Sequence, residues 1–308
     1  MNASVARRRV ICVGHAALDR VFNVHSWPAG SGKIAASRFE EAGGGMAGNA
    51  AAAIARLGAD AVFWGPTGDD DIANAIARQF EADGVDARRL RRFADRSSSH
   101  SAVIVDDNGE RLVVGLRGTA LQASADWLPL EEVKAAHALL ADVRWPQGSR
   151  LALLAARADG LPAILDGEIA APEVVDDLVA CAGQVVFSQR GLEAWTGSPG
   201  DEGLRKALVR GVGVAAVTRG ADGVSWIESG SPETVRHCRA FAVKTVDTLA
   251  AGDVFHGAYA LALAENASID DAMRFASAAA AIKCGRHGGR SGAPTRREVD
   301  ALLFAPWR

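Results

Sequence analysis

Six short apolar runs recur along the chain, at residues 10–13, 61–64, 138–140, 163–165, 185–187 and 214–217. None shows the polar alternation of a half-solvated strand, so each reads as a strand covered on both faces. Between most of them, the stretches 48–57, 70–82, 149–158, 172–180 and 202–210 carry apolar residues at helical spacing. This alternation predicts an α/β fold, a mainly parallel central sheet flanked by helices. Two regions, 21–41 and 98–117, break it. In the second, Ala102-Val103-Ile104-Val105 and Arg111-Leu112-Val113-Val114 flank Asp106-Asp107-Asn108-Gly109, and Asn-Gly between apolar runs is a strong hairpin signal. Paired with strands near Phe22 and over 34–39, the hairpin would build a small β-sheet lid; an edge extension of the main sheet fits the same pattern. Beyond Gly252 the chain reads as mostly helical, with a Gly-rich interruption at 285–292. No repeat or long linker divides it, so 1–308 is expected to form a single domain with lid segments at about 15–41 and 98–117.

Composition narrows the function classes. With 49% of its 308 residues apolar, the chain can bury a large core. Its 34 basic and 37 acidic residues are well mixed and leave a formal charge of -3, which gives no electrostatic case for nucleic acid or a membrane surface. The local clusters Arg7-Arg8-Arg9 and 88–92 read as a frayed terminus and a solvated loop. Cysteines 12, 181, 238 and 284 form no Cys-x-x-Cys pair, so a reducing cytoplasm is expected rather than a disulfide scaffold or a zinc site. The apolar run after the arginines is too short for a signal peptide, and no run approaches a membrane span. The seven histidines show no His-x-x-x-His pair and there is no Gly-x-Ser-x-Gly elbow, which argues against a zinc enzyme and a serine hydrolase.

The richest stretch for chemistry is Val246-Asp247-Thr248-Leu249-Ala250-Ala251-Gly252-Asp253, followed by the Ala-rich helical run 254–264. Free N–H groups at 250–253 would face the positive end of that helix, an arrangement suited to phosphate. Asp253 among those donors would be ionised and able to accept a hydroxyl proton, although an N-capping Asp after a turn fits the same residues. His256, one turn further on, reads as a partly buried polar contact. Ala42-Gly43-Gly44-Gly45-Met46-Ala47-Gly48-Asn49 contains a literal Gly-x-Gly-x-x-Gly, but it does not follow the first strand as a dinucleotide fingerprint should. Its glycines read instead as letting backbone approach a ligand. Thr218-Arg219-Gly220-Ala221-Asp222-Gly223 sits at the carboxyl edge of the expected sheet, where ligands bind, and reads equally as a hairpin turn. Asp19, after the first strand, is a candidate polyol contact or a surface carboxylate beside Arg20.

In this order the motifs resemble the ribokinase-like (PfkB) family of carbohydrate kinases over nearly the whole chain. Gly44-Gly45-x-x-x-Asn49-x-Ala51 with Leu57-Gly58 is similar to the family's N-terminal signature, Gly65-Pro66-Thr67-Gly68-Asp69-Asp70 to its next motif, and Asp247-Thr248 to Gly252-Asp253 to its C-terminal signature. The resemblance implies ATP-dependent phosphorylation of a sugar hydroxyl with Mg²⁺, under a β-lid that often mediates dimerisation, so a homodimer through the lid is expected. It places the catalytic base at Asp253, the anion hole at Ala250, Ala251 and Gly252, sugar contacts at Asp19, Gly44, Gly45 and Asn49, and the nucleotide loop at Thr218, Gly220 and Gly223. The chain departs from the family pattern at Ala250, where Gly is usual, and at Ser188-Gln189-Arg190-Gly191, where the family has Asn-x-x-Glu. Asp166 or Glu193 would then serve Mg²⁺ through water. Within the family, Ala141-Asp142-Val143-Arg144-Trp145, Leu165-Asp166-Gly167, Phe187-Ser188, Lys283-Cys284 and Gly288-Gly289-Arg290 are similar to bacterial sulfofructose kinases. That similarity implies an anionic ketose held by Arg144 and Lys33, with Arg117 as a third cation, and a nucleotide contact at Lys283; Gly115 stands where those enzymes have a polar lid residue. A nucleoside kinase and a catalytically silent sugar- or nucleotide-binding regulator on the same fold are the alternatives, with a dehydrogenase a distant third.

Overall fold

The predicted alternation is realised in full. The computed structural model describes residues 7–26, 30, 32–108 and 110–304. Its first half runs β1 (Arg9–Val13), β2 (Ala17–Asn23), β3 (Arg38–Gly44), α1 (Met46–Arg56), β4 (Asp60–Gly68), α2 (Asp71–Asp83), β5 (Asp86–Phe93), β6 (Ser99–Val105) and β7 (Arg111–Leu116). The chain continues through β8 (Ala138–Asp142), α3 (Pro146–Ala158), β9 (Ala163–Gly167), α4 (Pro172–Cys181), β10 (Gln184–Ser188), α5 (Gln189–Thr196) and α6 (Asp201–Val209). It ends in β11 (Val214–Thr218), β12 (Val224–Glu228), β13 (Arg236–Cys238), α7 (Ala251–Ala264), α8 (Ile269–Cys284) and α9 (Arg296–Leu303).

Nine strands form the main sheet in the order β13-β12-β11-β10-β9-β8-β1-β4-β5. All neighbours from β11 to β5 are parallel, and β12 and β13 add an antiparallel margin. Successive strand residues face opposite sides, so each apolar run feeds two cores. Val10, Cys12, Leu140, Ile164 and Val186 pack towards α1, α7 and α8, while Ile11, Val13, Leu139, Leu165 and Val185 pack towards α3 and α4. The buried runs therefore lack alternation because both faces are covered.

The hairpin belongs to a separate four-stranded sheet, ordered β3-β2-β6-β7. β6 and β7 pair antiparallel as expected, and Gly109 of the Asn-Gly turn lies outside the described residues. The strand expected over 34–39 begins only at Arg38 and extends to Gly44, so β3 leads directly into α1. The motif at 65–70 anchors the start of β6. Asp70 caps α2, and its carboxylate accepts the Ser98 N–H at 2.9 Å and the Ser98 hydroxyl at 2.6 Å.

Two charged segments differ from expectation. Residues 88–92 belong to β5, an edge strand, where a row of arginines discourages pairing with another chain. Arg9 is the first residue of β1, so the basic terminus is folded from that point. No helix among the described residues is long and apolar enough to cross a membrane.

One contact sets the spacing of the helices over the site. A Cβ on Gly257 of α7 would lie 2.7 Å from the carbonyl oxygen of Ala50 in α1, so the two helices touch backbone to side-chain-free surface. Gly257→Ala is expected to force them apart and destabilise the protein by about 1–3 kcal/mol, the usual cost of overpacking. A lowered urea midpoint with unchanged slope is the expected reading, and an unchanged midpoint would show that the crossing has room to spare.

Candidate active site

The sheet order places a crevice at the carboxyl ends of β1 and β8. β1 is followed outward by β4 on one side and flanked by β8 on the other, and ligands bind at such switch points. Asp142 ends β8 and lies two residues beyond Leu140; Asp166, near the end of β9, lies two beyond Ile164. Both therefore face α1 and α7, side by side in register. Asp142 is fixed at that edge by backbone donors: His15 N–H at 2.8 Å, Ala47 N–H at 3.1 Å and Arg144 N–H at 2.8 Å. The adjoining Gly14 is required, since a Cβ there would sit 2.4 Å from the Asp142 carboxylate.

Asp253 enters the same crevice from the first turn of α7. Its carboxylate accepts the Asn49 side-chain N–H at 2.7 Å, which joins two residues 204 positions apart. Part of its surface opens to the cleft, yet the carboxyl is deep enough for burial, seconded by the nearby Asp166, to push its pKa up to about 7. Loss of hydration thus opposes the helix N-terminal donors expected to favour its ionised form. Asp166 is itself held well above the usual carboxylate range by burial and then by Asp142 and Glu168. His256 is buried, with Nδ1 2.8 Å from Gly252 O and Nε2 3.1 Å from Val186 O, and so ties α7 to β10.

The turn before Asp253 has the predicted form. The first helical bond of α7 runs from Val254 N–H to Ala250 O, which leaves the Gly252 and Asp253 amides without an intrahelical acceptor. Ala251 N–H instead donates to Thr248 O at 3.2 Å. Ala250 caps the helix at φ 61°, ψ 11°, a left-handed conformation that costs a non-glycine residue roughly 1–2 kcal/mol. Ala at this position has kept the glycine geometry rather than reshaped the turn.

The start of α7 opens into a cavity of about 520 Å³ whose lining includes Thr218, Gly220, Gly223, Ala251, Gly252 and Phe255. The loop at 218–223 and the start of α7, assigned separately from sequence, thus share one chamber. Lys283 is not part of it: its ammonium is fully enclosed and bonded to Asp247 and Arg286 oxygens, contrary to the expected nucleotide contact.

On the other side of Asp253, Asp19 of β2 accepts the Ser101 hydroxyl at 2.6 Å. Burial raises its pKa. Gly44 and Gly45 serve the chain's own packing. A Cβ on Gly44 would fall 2.4 Å from the Asp19 carboxylate, and one on Gly45, at φ 86°, would fall 2.5 Å from His15 O. Arg144 reaches Ile169 O at 2.8 Å. The positive charge of Arg144 is the main cause lowering the Arg117 pKa, so the two side chains lie within each other's field. His15 lies beside them, its pKa lowered to about 4 chiefly by burial and its Nε2 buried without a hydrogen-bond partner. Lys33 is exposed, in the segment between β2 and β3.

The Mg²⁺ question turns on Gly191. A Cβ there would lie 2.3 Å from Gly167 O and 3.0 Å from the Glu168 Cα, so no larger residue fits, and the Ser188 hydroxyl donates to Glu168 at 3.0 Å. The carboxylate near this helix start therefore comes from Glu168, on the β9 side. Asp166 is buried within the carboxylate group at the strand ends, and Glu193 is exposed on α5. No cluster of three or more metal-ligating side chains occurs among the described residues, which accords with an ion that keeps several waters and needs one or two carboxylates. Glu168 and His15 carried no sequence motif of their own; only their positions just beyond strand ends could have marked them.

Known proteins match this arrangement along its length. The chain is 28% identical over 306 residues to a ribokinase of Haemophilus influenzae, covering 96% of this chain and 99% of that one. It is 28% identical over 303 residues to an ATP-dependent ribose-1-phosphate kinase of Halopiger xanaduensis, covering 96% and 98%. Among solved structures, a protein of Agrobacterium tumefaciens provisionally named a ribokinase superposes with a TM-score of 0.92 at 38% identity, covering 97% and 98% of the two chains. Arabidopsis thaliana ribokinase complexed with ribose and ATP superposes at 0.84 with 25% identity over 98% and 100%. The model of the pfkB family of carbohydrate kinases matches residues 7–296, and the chain, with its ribokinase fold and a chamber shared by the 218–223 loop and the start of α7, belongs to that family of phosphotransferases.

Proposed function

We propose that this kinase transfers the γ-phosphate of ATP to a hydroxyl of an anionic ketose, with sulfofructose as the leading candidate. Asp253 accepts the hydroxyl proton, the freed oxygen attacks the γ-phosphorus in line, and ADP leaves into the 520 Å³ chamber. The amides of Gly252 and Asp253 face the transferring group, where fixed donors stabilise developing charge. Mg²⁺, when bound with ATP, neutralises phosphate charge; Glu168, oriented by Ser188, is the residue of this chain suited to hold it through water. Asp19 and Asn49 hold sugar hydroxyls, and the β3-β2-β6-β7 sheet closes over them as a lid.

The reading of an anionic substrate is supported by the positive charges of Arg117 and Arg144, which act on each other and on His15, whose buried Nε2 has no hydrogen-bond partner. Two like charges are kept together at a cost that an anion between them would relieve. The relative named for a phosphorylated sugar, ribose 1-phosphate, supports an anionic acceptor on this fold. The exposed Phe39, Leu112, Val113, Val114 and Leu116 on β3 and β7 support a homodimer that covers the lid's outer face.

Asp253→Asn is expected to keep the fold and ATP binding but to lose about 10²–10⁴ of kcat, the usual contribution of a general base. The wild-type base works only when ionised, so kcat/KM should rise as pH increases through about 7. Near-normal turnover in the variant would reject the assignment. Arg144→Ala should raise KM by about tenfold or more for a sulfonated ketose and little for a neutral one, since a charge-assisted contact is worth about 1.5–3 kcal/mol. Equal effects on the two sugars would rule out an anion at this site. The double variant Leu112→Asp, Val114→Asp should sediment as a monomer where the wild type sediments as a dimer; a monomeric wild type would remove the lid from the interface.

A further inference from the structure

Two consecutive glycines of β3 carry opposite charges against their two faces. β2 and β3 pair with Leu18 opposite Gly43 and Asp19 opposite Ala42, and successive strand residues face opposite sides. A Cβ on Gly44 would meet the Asp19 carboxylate, whereas one on Gly43 would lie 1.8 Å from Arg290 Cζ and 2.0 Å from its Nη2. Bare main chain is all that separates the two groups there. Arg290 comes from the turn Gly289–Gly292 beyond α8, and its side chain is 3% exposed. Its Cζ sits 5.2 Å from the centre of the Phe80 ring. Nη2 lies 2.7 Å from Asp83 Oδ2 at the end of α2, close but not aligned for a hydrogen bond, and Nε is buried with no partner. A guanidinium buried with so few bonds is costly, and an apolar side chain of similar length would strap the turn to α2 at lower cost.

We propose that Arg290 is a positioning residue for the acceptor sugar: through the bare backbone of Gly43 and Gly44 its charge holds Asp19 as a carboxylate, the form that accepts hydrogen bonds from sugar hydroxyls. This role rests on the proposed sugar contact of Asp19. That carboxyl needs a counter-charge. Burial favours its neutral form, and the Ser101 hydroxyl and the Arg290 charge oppose that shift. Once protonated, Asp19 would have to donate one bond and would keep fewer lone pairs for hydroxyls. A cation bonded directly to Asp19 would occupy the oxygens the sugar needs. One placed behind the strand supplies its field and leaves them free. The influence is mutual, since Asp19 and Asp83 both oppose the lowering of the Arg290 pKa by burial. The other charges around Asp19 offset each other: Arg20 of β2 and Glu41 of β3 are paired at 3.1 Å and exposed, and Asp83 of α2 faces Arg290. From β6 comes only the neutral Ser101 hydroxyl.

The test follows the Asp19 carboxyl by carbon NMR across pH, its signal assigned by its loss in Asp19→Asn. KM and kcat are measured in parallel for whichever of sulfofructose, fructose and ribose the wild type phosphorylates. Arg290→Met should move the Asp19 titration up by about one pH unit, the low end of what a neighbouring opposite charge does. Arg290→Lys should leave it near the wild-type position. Because loss of the cation raises the Asp19 pKa, the rise of KM on acidification should begin about one pH unit higher in Arg290→Met, reaching up to about tenfold over wild type between the two titrations. KM should agree where Asp19 is ionised in both, and kcat at saturating sugar should keep the wild-type pH profile. Asp83→Asn leaves the guanidinium uncompensated and should move the Asp19 titration down, which decides the matter even where Arg290→Met does not fold. Loss of a mere strap would move the two variants alike or not at all. An Asp19 titration unmoved by Arg290→Met, a Lys variant that behaves as the Met variant, an upward shift in Asp83→Asn, or a KM that does not follow a shifted titration would each overturn the inference. A shifted titration in a protein that phosphorylates none of these sugars would support the charge pairing and reject the acceptor assignment on which its purpose rests.

Discussion

The close crossing of α1 and α7 is the constraint on which the site depends. Asn49 and Asp253 come from opposite ends of the chain, and nothing local brings them together. They meet at 2.7 Å because Gly257 lets α7 settle against the Ala50 carbonyl, and because α1 is built of Ala and Gly where it faces the sheet. Larger residues at those positions would bury more surface and separate the helices. The Ala-rich composition is therefore a distance setting: it gives up side-chain area for an approach that lets an amide on one helix reach a carboxylate on another.

That approach also determines the chemistry of Asp253. A carboxylate at a helix start would ordinarily be stabilised in its charged form. Here the neighbours delivered by the strand ends, Asp166 and Asp142, add repulsion to the loss of hydration, and together they outweigh the Asn49 bond. A carboxyl pushed up to about 7 would suit the general base proposed for Asp253, because it would accept a proton readily and still be substantially ionised near neutrality. The left-handed Ala250 adds a second local cost. Both costs fall on one turn, where the loop ahead is clamped by Asp247 to α8 and the helix behind is clamped by His256 to β10.

Much of this was legible in the sequence because it depended on short-range patterns. Unbroken apolar runs of strand length, separated by helical periods, force a doubly covered sheet, and Asn-Gly with its apolar flanks forces β6 against β7. The turn at 250–253 and the loop at 218–223 were visible as motifs, and the sheet brought both to one chamber. What escaped was set by long-range packing. Residues 88–92 look like a solvated loop because an edge strand that must resist pairing is written in charges. Gly191 reads as the loss of a carboxylate until the Gly167 carbonyl is seen to occupy its space and Glu168 to stand nearby. Gly44 and Gly45 read as openings for a ligand, yet the atoms they admit are those of Asp19 and His15. Lys283, placed by sequence on the nucleotide, is turned inward by an oxygen cage that no spacing rule reveals.

The distribution of charge gives the crevice a direction. Asp142, Asp166, Glu168 and Asp253 gather where the strands end against α7, whereas Arg117, just after β7, and Arg144, just after β8, lie within each other's field. On the proposed reading, an anionic sugar entering this crevice would be repelled by the carboxylate end and drawn to the guanidinium groups, which would turn its far hydroxyl towards Asp253. A neutral sugar would meet no such torque and would depend on hydrogen bonds to residues such as Asp19 and Asn49. The same separation would keep the substrate's negative charge away from the amides at the start of α7, leaving those donors for the phosphoryl group.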